Sequence, residues 1–136
     1  MDNNALVAKE YFKSIGIKYK EIIPPIDSDV YCIKNSSNQW GAFKIGYNVP
    51  VVDFGKYAYM EGYDSGYCLV SILDPSCPDL SNRGIIDCNG NEAIKPYTFT
   101  AILSFYGKKE PFICVFTKER TFKLSKEKLL LPIYYS

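Results

Sequence analysis

The chain has 136 residues, of which 47% are hydrophobic and 23% charged, as expected for one soluble globular domain with a hydrophobic core. Its formal net charge is +1 and it contains no histidine, which excludes a Ser-His-Asp triad, a Cys-His pair and any metal site that needs imidazole. No apolar run reaches the roughly 18 residues of a membrane-spanning helix, and the N-terminus lacks the features of a secretory signal. We therefore expect a cytoplasmic protein with no cofactor and no membrane segment.

The five cysteines occur without a Cys-x-x-Cys motif, an arrangement that favours neither a disulfide framework nor a zinc site. Cys32, Cys68 and Cys114 each stand between apolar residues, so we interpret them as small buried hydrophobes. Cys77 lies in a predicted loop and Cys88 near a predicted turn, which makes these two the thiols expected to be exposed.

The first predicted element is a helix over residues 4–15. Its apolar positions, which include Ala8, Phe12 and Ile15, recur at helical spacing, and Gly16 can take the left-handed conformation that ends a helix. We expect one face of this helix to pack against the sheet that follows.

From residue 17 onward, short apolar strands alternate with Gly, Pro, Asn and Asp. The predicted strands cover residues 19–23, 29–34, 40–45, 49–54, 67–73, 97–105, 111–116 and 121–124, and a hairpin covers residues 83–96. The glycine- and tyrosine-rich segment 55–66 and the proline- and serine-rich segment 75–82 are predicted loops. Residues 125–131 fit either a helical turn or a hairpin.

The sequence therefore predicts a mainly β fold for a single domain, residues 1–136. The strands form an antiparallel meander or a small barrel of repeated hairpins, with one N-terminal α-helix. Two turns carry the strongest hairpin signals: residues 35–38 and the pair Asn89-Gly90. Asn-Gly predicts a type I′ turn, in which both central residues have positive φ.

Similar segments recur along the chain, with a repeat length of about 36 to 46 residues. Apolar segments centred on cysteine align as 31–33, 67–70 and 113–115, and we expect the three cysteines to hold equivalent positions. Glycine-containing strands align as 40–43 and 83–86. Each of these two strands is followed by a turn and then by a strand that ends in proline.

These units resemble the bacterial WG-repeat proteins over roughly residues 19–132. Trp40-Gly41, Gly46 and Pro50 match one unit, and Gly84, Asp87, Gly90 and Pro96 match the next, with Arg83 where the family has tryptophan. The resemblance implies a β-rich repeat that serves as a binding or scaffolding surface. It supplies no catalytic residues.

The predicted function is that of a non-enzymatic module that binds a protein partner through loops 55–67 and 75–82. Tyrosines give a large contact area at low entropic cost, which favours the first loop. The predicted binding residues are Tyr57, Tyr59, Glu61, Tyr63, Asp64 and Tyr67. A variant of this hypothesis is a small inhibitor or sequestering protein, encoded by a phage or mobile element. The oligomeric state stays open.

Two other functions fit parts of the sequence. Glu61 and Asp64 among tyrosines are typical of a carbohydrate-binding or carbohydrate-processing site. The C-terminal third, with seven basic and three acidic side chains over 105–136, could bind nucleic acid or a nucleotide. By contrast, residues 27–93 hold nine acidic and four basic side chains.

Two further motifs have simpler interpretations. Trp40 could stack on a ligand ring, but as the one tryptophan, beside a glycine, it is predicted to pack in the core. Asp27-Ser28-Asp29 starts like a calcium loop but lacks the remaining ligands, so it is interpreted as a turn.

Overall fold

The computed structural model describes residues 3–26, 28–47, 49–64, 66–78, 81–97, 101–105, 112–116 and 121–125. Within these ranges the helix α1 (Asn3–Ser14) precedes ten strands. The strands are β1 (Tyr19–Ile23), β2 (Val30–Asn35), β3 (Trp40–Lys44), β4 (Tyr59–Asp64), β5 (Tyr67–Ser71), β6 (Arg83–Asp87), β7 (Glu92–Ile94), β8 (Ala101–Phe105), β9 (Phe112–Phe116) and β10 (Thr121–Ser125). No helix among the described residues is both long and apolar enough to span a bilayer.

The strands form three antiparallel sheets in which sequence neighbours pair. Sheet 1 has the order β1-β2-β3, sheet 2 the order β4-β5-β6-β7, and sheet 3 the order β8-β9-β10. The predicted mainly β fold with one N-terminal helix is confirmed, in its meander form, because none of the sheets built from the described strands closes into a barrel.

Sheets 1 and 2 pack face to face. Because successive residues of a strand point to opposite faces, β2 places Val30 and Cys32 toward sheet 2 and Tyr31 and Ile33 toward the helix. The buried core between the two sheets consists of Val30, Cys32, Trp40, Ala42, Val52, Tyr57, Met60, Tyr63, Cys68, Val70 and Ile86. Strand β8 of sheet 3 contacts β6 of sheet 2.

Helix α1 covers the outer face of sheet 1. Ala8 and Phe12 are completely buried against Tyr31, Ile33 and Phe43 of that sheet. The Phe12 ring meets Tyr31 and Phe43 edge to face, at centroid distances of 5.8 and 6.0 Å.

The helix ends as predicted, at a glycine with positive φ. Gly16 has a φ of 88°, a value that most other residues rarely adopt. Ile15, expected on the buried face, is instead 40% exposed, because it lies beyond the last helical residue. The predicted helix boundaries differ from the observed ones by a single residue at each end.

Three predicted segments differ from the structure. Residues 49–54 do not form a strand; only Val52 pairs with sheet 1, by a bridge to Ala42. The predicted loop 55–66 contains β4, whose glycine at position 62 lies in a bulge between Met60 and Tyr63 and not in a loop. Of the strand predicted over 97–105, the structure shows β8 (Ala101–Phe105), and Tyr97 has a φ of 69°, outside the extended range.

The Asn89-Gly90 hairpin forms, but with a different turn. Gly90 has a φ of 81° while Asn89 does not have positive φ, so the turn is not type I′. The Gly90 amide donates to the Asp87 carbonyl (3.1 Å) and the Asp87 amide to the Asn91 carbonyl (2.9 Å). This is a three-residue connection with the left-handed residue last.

The hairpin between β2 and β3 repeats this construction. The Asn38 amide donates to the Asn35 carbonyl (3.0 Å), and Asn38 has a φ of 62°. Asn35 Oδ1 accepts the amides of Ser37 and Gln39, as Asp87 Oδ1 accepts those of the residues two and four positions later. The two sheets therefore use the same turn, fixed by an Asn or Asp side chain at its first position.

The two strand glycines of the predicted repeat also have the same role. A Cβ on Gly84 would lie 2.7 Å from the Ile94 carbonyl oxygen, and a Cβ on Gly41 would lie 3.1 Å from that of Val52. Each glycine precedes the residue that pairs with the returning segment, Ile85 with Ile94 and Ala42 with Val52. The missing side chain is what lets that segment pass close to the strand.

The equivalence predicted for the cysteines is wrong by one position. Cys32 pairs with Ala42, the residue after Gly41, whereas Cys68 pairs with Ile86, two residues after Gly84. Both are nevertheless buried, as predicted. The side chain of Cys114 lies outside the described part, and so do residues 126–136, which include most of the segment left open between helix and hairpin.

Candidate functional site

The structure divides the six predicted binding residues between the core and the surface. Tyr57 and Tyr63 are only 2% and 1% exposed. The Tyr63 hydroxyl donates to the Asp87 carbonyl oxygen (2.7 Å) and the Tyr57 hydroxyl to Glu92 Oε2 (3.2 Å). Both side chains therefore join β4 and the segment before it to the β6–β7 hairpin, and neither is available as a contact surface.

Tyr63→Phe should reduce the loss of stability that we expect above about pH 10. Burial raises the pKa of the Tyr63 phenol in the folded protein, while an unfolded chain titrates near about 10. Above that pH the unfolded state releases a proton that the folded state keeps. The free energy of unfolding then falls by up to about 1.4 kcal/mol per pH unit for this group, until the pH reaches the folded-state pKa.

Urea unfolding between about pH 9 and about pH 11.5 measures this slope. The phenylalanine variant should be about 1 kcal/mol less stable near neutral pH, because the Asp87 carbonyl loses its donor. It should then lose less stability than the wild type as the pH rises. Equal slopes for the two proteins would show that folding does not raise the pKa of the Tyr63 phenol.

Glu61 and Asp64 line one small cavity, of about 250 Å³. The bulge at Gly62 places both carboxylates on this side of β4. Met60 and Tyr63 point into the core, and Glu61 and Asp64 do not. The rest of the wall includes Ile23, Pro24 and Ile26, which are apolar. The two predicted carboxylates therefore lie in the same cavity, beside hydrophobic side chains.

Tyr59 and Tyr67 are half-buried, and burial raises the pKa of each phenol. Tyr67 stands at the tight hairpin between β4 and β5, opposite Asp64 and Asp87 in the register. Tyr59 stands at the other end of β4, where its ring meets the Trp40 indole edge to face at 5.8 Å. Of the six predicted residues, Tyr59 is therefore the one at the entrance to a larger cleft.

That cleft, which we name the Trp40 cleft, has a volume of about 470 Å³. Its lining residues are Glu21, Ile23, Lys34, Asn38, Trp40, Ala58, Tyr59, Asp74 and Pro75. They come from β1, β2, β3, the β2–β3 turn, the start of β4 and the loop after β5. The cleft thus lies where the β2–β3 turn of sheet 1 meets the end of sheet 2 at which β4 begins and β5 ends.

The register of the two sheets explains which residues reach the cleft. Glu21, Lys34 and Trp40 stand directly opposite one another and form a row across sheet 1. Tyr59, Ser71 and Arg83 form the corresponding row across sheet 2. Arg83 occupies in its sheet the place that Trp40 occupies in sheet 1.

Trp40 is 4% exposed, so the prediction that it packs in the core is confirmed. The Lys34 ammonium lies 5.9 Å from the centre of the indole ring, within the range of a cation–π contact. Tyr59 closes a second side of the indole. Trp40 therefore forms the floor of the cleft, and Lys34 and Tyr59 flank it.

A fixed negative charge stands at the rim. Asp74 Oδ1 accepts the Ser76 hydroxyl (2.6 Å) and the Ser76 amide (2.9 Å). These hydrogen bonds from Ser76 lower the pKa of the Asp74 carboxyl. The carboxylate is therefore ionised at neutral pH, and the turn holds it in place at the start of loop 75–82.

Sequence reasoning did not find the charged residues of this site. Glu21, Lys34 and Asp74 are far apart in the chain and belong to no motif. The available signal was the hairpin at 35–38, which would have placed Lys34 opposite Trp40. The contribution of Asp74 depends on how the two sheets pack, and no local pattern encodes that.

Other predicted sites fall partly outside the described part of the chain. Asp27 of the calcium-like motif is one such residue, and the side chains of the basic segment 105–136 are others. Among the residues that the structure does describe, no group of three or more His, Cys, Asp or Glu side chains is placed to hold a metal ion.

Comparison with known proteins gives no relative, since no family model, curated protein or solved structure matches the chain. The function is therefore argued from the Trp40 cleft and its charges.

Proposed function

We propose that the chain is a non-enzymatic protein-binding module that holds a basic segment of its partner in the Trp40 cleft. The observation that carries the proposal is the composition of the cleft: an indole floor, a half-buried tyrosine and carboxylates of two separate elements around one concave surface. Tryptophan and tyrosine in concave, partly desolvated positions are the residues that dominate binding energy at protein interfaces.

Carboxylates from two separate elements of the cleft can pair with a basic segment of the partner. Glu21 and Asp74 both line the cleft. The cations nearby are Lys34, Arg83 and Lys20, whose ammonium donates to Asn38 Oδ1 (2.8 Å). A lysine or arginine of the partner can take the place of the Lys34 ammonium over the indole, where it can also pair with the Glu21 or Asp74 carboxylate.

We also propose that the fold is built by repetition of a unit that resembles the WG repeat. The matched turns at 35–39 and 87–91 and the matched glycines at 41 and 84 support it. In such proteins the units stack and present a binding surface. Here that surface is the place where two neighbouring units meet.

Tyr59→Ala should weaken binding of the partner about 10-fold or more, since it removes one wall of the cleft and exposes the edge of Trp40. The partner is first captured from cell lysate on the immobilised wild-type chain, then purified and titrated by calorimetry. The matched control is Tyr47→Ala, which deletes an exposed tyrosine beyond the opposite end of β3. This control should bind like the wild type.

Two results would count against the cleft. One is equal affinity of the wild type and the Tyr59 variant, with circular dichroism showing both folded. The other is a larger loss for Tyr47→Ala than for Tyr59→Ala.

Glu21→Gln combined with Asp74→Asn should reduce both the affinity for the partner and the dependence of that affinity on salt. An unchanged salt dependence would exclude a basic partner segment.

The carbohydrate alternative makes the opposite prediction for the smaller cavity. Under it, Glu61→Gln and Asp64→Asn abolish binding of oligosaccharides. Under the proposal made here, the two substitutions leave affinity for the protein partner within about threefold of the wild type, because both residues line the other cavity.

A further inference from the structure

Two cysteines face each other across the core between sheets 1 and 2. Cys32 of β2 is 0% exposed and Cys68 of β5 is 1% exposed. Their Sγ atoms are 3.9 Å apart, and both are free thiols. Among the described residues, this is the one contact between two cysteine side chains that the structure shows.

The surroundings favour a reaction between these two sulfurs over others. Cys68 is hydrogen-bonded to the carbonyl of the next residue, Leu69 (3.4 Å), which orients it within its own strand. Cys88 is half-buried and packs against the same core, and its thiol donates to the Gly66 carbonyl (3.4 Å). Cys77 belongs to the loop after β5. Among the thiols with described side chains, Cys32 and Cys68 are therefore the pair whose sulfurs already face each other.

We propose that Cys32 and Cys68 form an inter-sheet disulfide when the chain meets a disulfide oxidant. A disulfide bond requires the sulfurs to approach to about 2.05 Å, which is about 1.9 Å closer than they are now. The two strands belong to separate sheets, so a small shift of one sheet toward the other can supply that approach. In the reduced protein the fold therefore holds the two thiols close together without a bond between them.

The chemistry is thiol–disulfide exchange with a small disulfide such as oxidised glutathione. One cysteine thiolate attacks the glutathione disulfide, forms a mixed disulfide and releases one glutathione thiolate. The second cysteine then attacks the protein sulfur and releases the other. The two protein thiols lose two electrons and two protons, and one oxidised glutathione becomes two reduced glutathione molecules.

Burial controls the rate of this reaction. The nearby Cys68 thiol and burial both raise the pKa of Cys32, so the reactive thiolate is scarce while the sheets are packed. The first attack therefore proceeds through transient separation of sheets 1 and 2. A low denaturant concentration that raises the open population should accelerate oxidation in proportion to that population.

The bond should stabilise the fold once formed. It closes a loop between residues 36 positions apart in the sequence, which restricts the unfolded chain. The equilibrium constant for unfolding should fall by roughly 30- to 1,000-fold relative to the reduced protein. Trp40 lies in the same core, so its fluorescence provides the readout of unfolding.

The test uses the full reduced chain, equilibrated with oxidised glutathione at a low concentration of urea. Remaining thiols are then alkylated in strong denaturant, and non-reducing peptide mapping identifies the linked pair. We expect a mass lower by two hydrogen atoms, one peptide pair that joins Cys32 to Cys68, and a higher urea midpoint. Alkylation of both cysteines at equilibrium, or linkage of either one to a different cysteine, would overturn the proposal.

Two variants separate this assignment from general oxidation. Cys32→Ala should leave Cys68 without an intramolecular partner and should show no gain in urea midpoint after the same treatment. Cys77→Ser should oxidise and gain stability like the wild type, since Cys77 belongs to the loop after β5. A gain that persists in Cys32→Ala, or is lost in Cys77→Ser, would contradict the pairing. The peptide map of the wild type decides the question if a variant fails to fold.

Discussion

Gly84→Ala should lower the free energy of unfolding by about 3 kcal/mol. The added Cβ would lie 2.7 Å from the Ile94 carbonyl oxygen, 2.9 Å from Pro96 Cδ and 3.0 Å from Pro96 N. These atoms belong to the backbone and to a proline ring, so none can move aside by a change of rotamer. The β6–β7 pairing must shift to admit the methyl group.

The matched substitution is Gly41→Ala, at the equivalent place in sheet 1. Its Cβ would lie 3.0 Å from Phe54 Cδ1 and 3.1 Å from the Val52 carbonyl. A half-buried phenylalanine ring can rotate, so we expect a cost of about 1 kcal/mol. Urea unfolding followed by circular dichroism measures both. A neutral Gly84→Ala would show that the returning segment does not need a glycine, and equal costs at the two sites would show that the Phe54 ring does not move aside.

Phe12→Ala should cost about 3 to 5 kcal/mol, because it removes a completely buried ring and leaves a cavity under the helix. The ring packs edge to face on Tyr11, Tyr31 and Phe43. These pairs each add to the value of the buried area. We therefore expect helix α1 to detach from sheet 1 before the two sheets separate.

The control is Leu6→Ala on the same helix, since Leu6 is 50% exposed. It should change stability by about 0.5 kcal/mol or less. Hydrogen exchange of the α1 amides separates the two outcomes, because Phe12→Ala should raise exchange in the helix and Leu6→Ala should not. A small cost for Phe12→Ala would mean that the helix does not cover the sheet.

The parts of the fold that depend on local pattern were predictable. The helix follows from the spacing of Ala8 and Phe12, and the strands β2, β3, β5 and β6 follow from apolar segments between turn residues. The β4 strand was missed because a glycine such as Gly62 is typical of loops. In the structure Gly62 has a φ of 112° and lies in a bulge of the strand. A glycine alone does not distinguish the two.

The turn at Asn89-Gly90 shows a second limit. The dipeptide fits a two-residue turn, but Asp87 Oδ1 accepts two amides across a three-residue connection and selects the longer loop. A side chain two residues upstream thus decided the turn type. The same capping by Asn35 was equally visible in the sequence.

The candidate site was less predictable than the fold. Of the tyrosines in the predicted binding segment, Tyr59 lines the Trp40 cleft, whereas Tyr57 and Tyr63 are buried. Which tyrosines face outward depends on the bulge at Gly62, which puts both Met60 and Tyr63 on the buried face. The charged residues of the cleft come from the packing of one sheet on the other.

Hydrogen–deuterium exchange of the chain with and without its captured partner tests the central claim most directly. The account predicts slower exchange on binding in residues 34–40, 58–60 and 74–76, which surround the Trp40 cleft. Exchange in the turn 44–47, beyond the opposite end of β3, should not change. Protection confined to that turn, or to the basic segment 105–136, with the cleft unchanged, would contradict it.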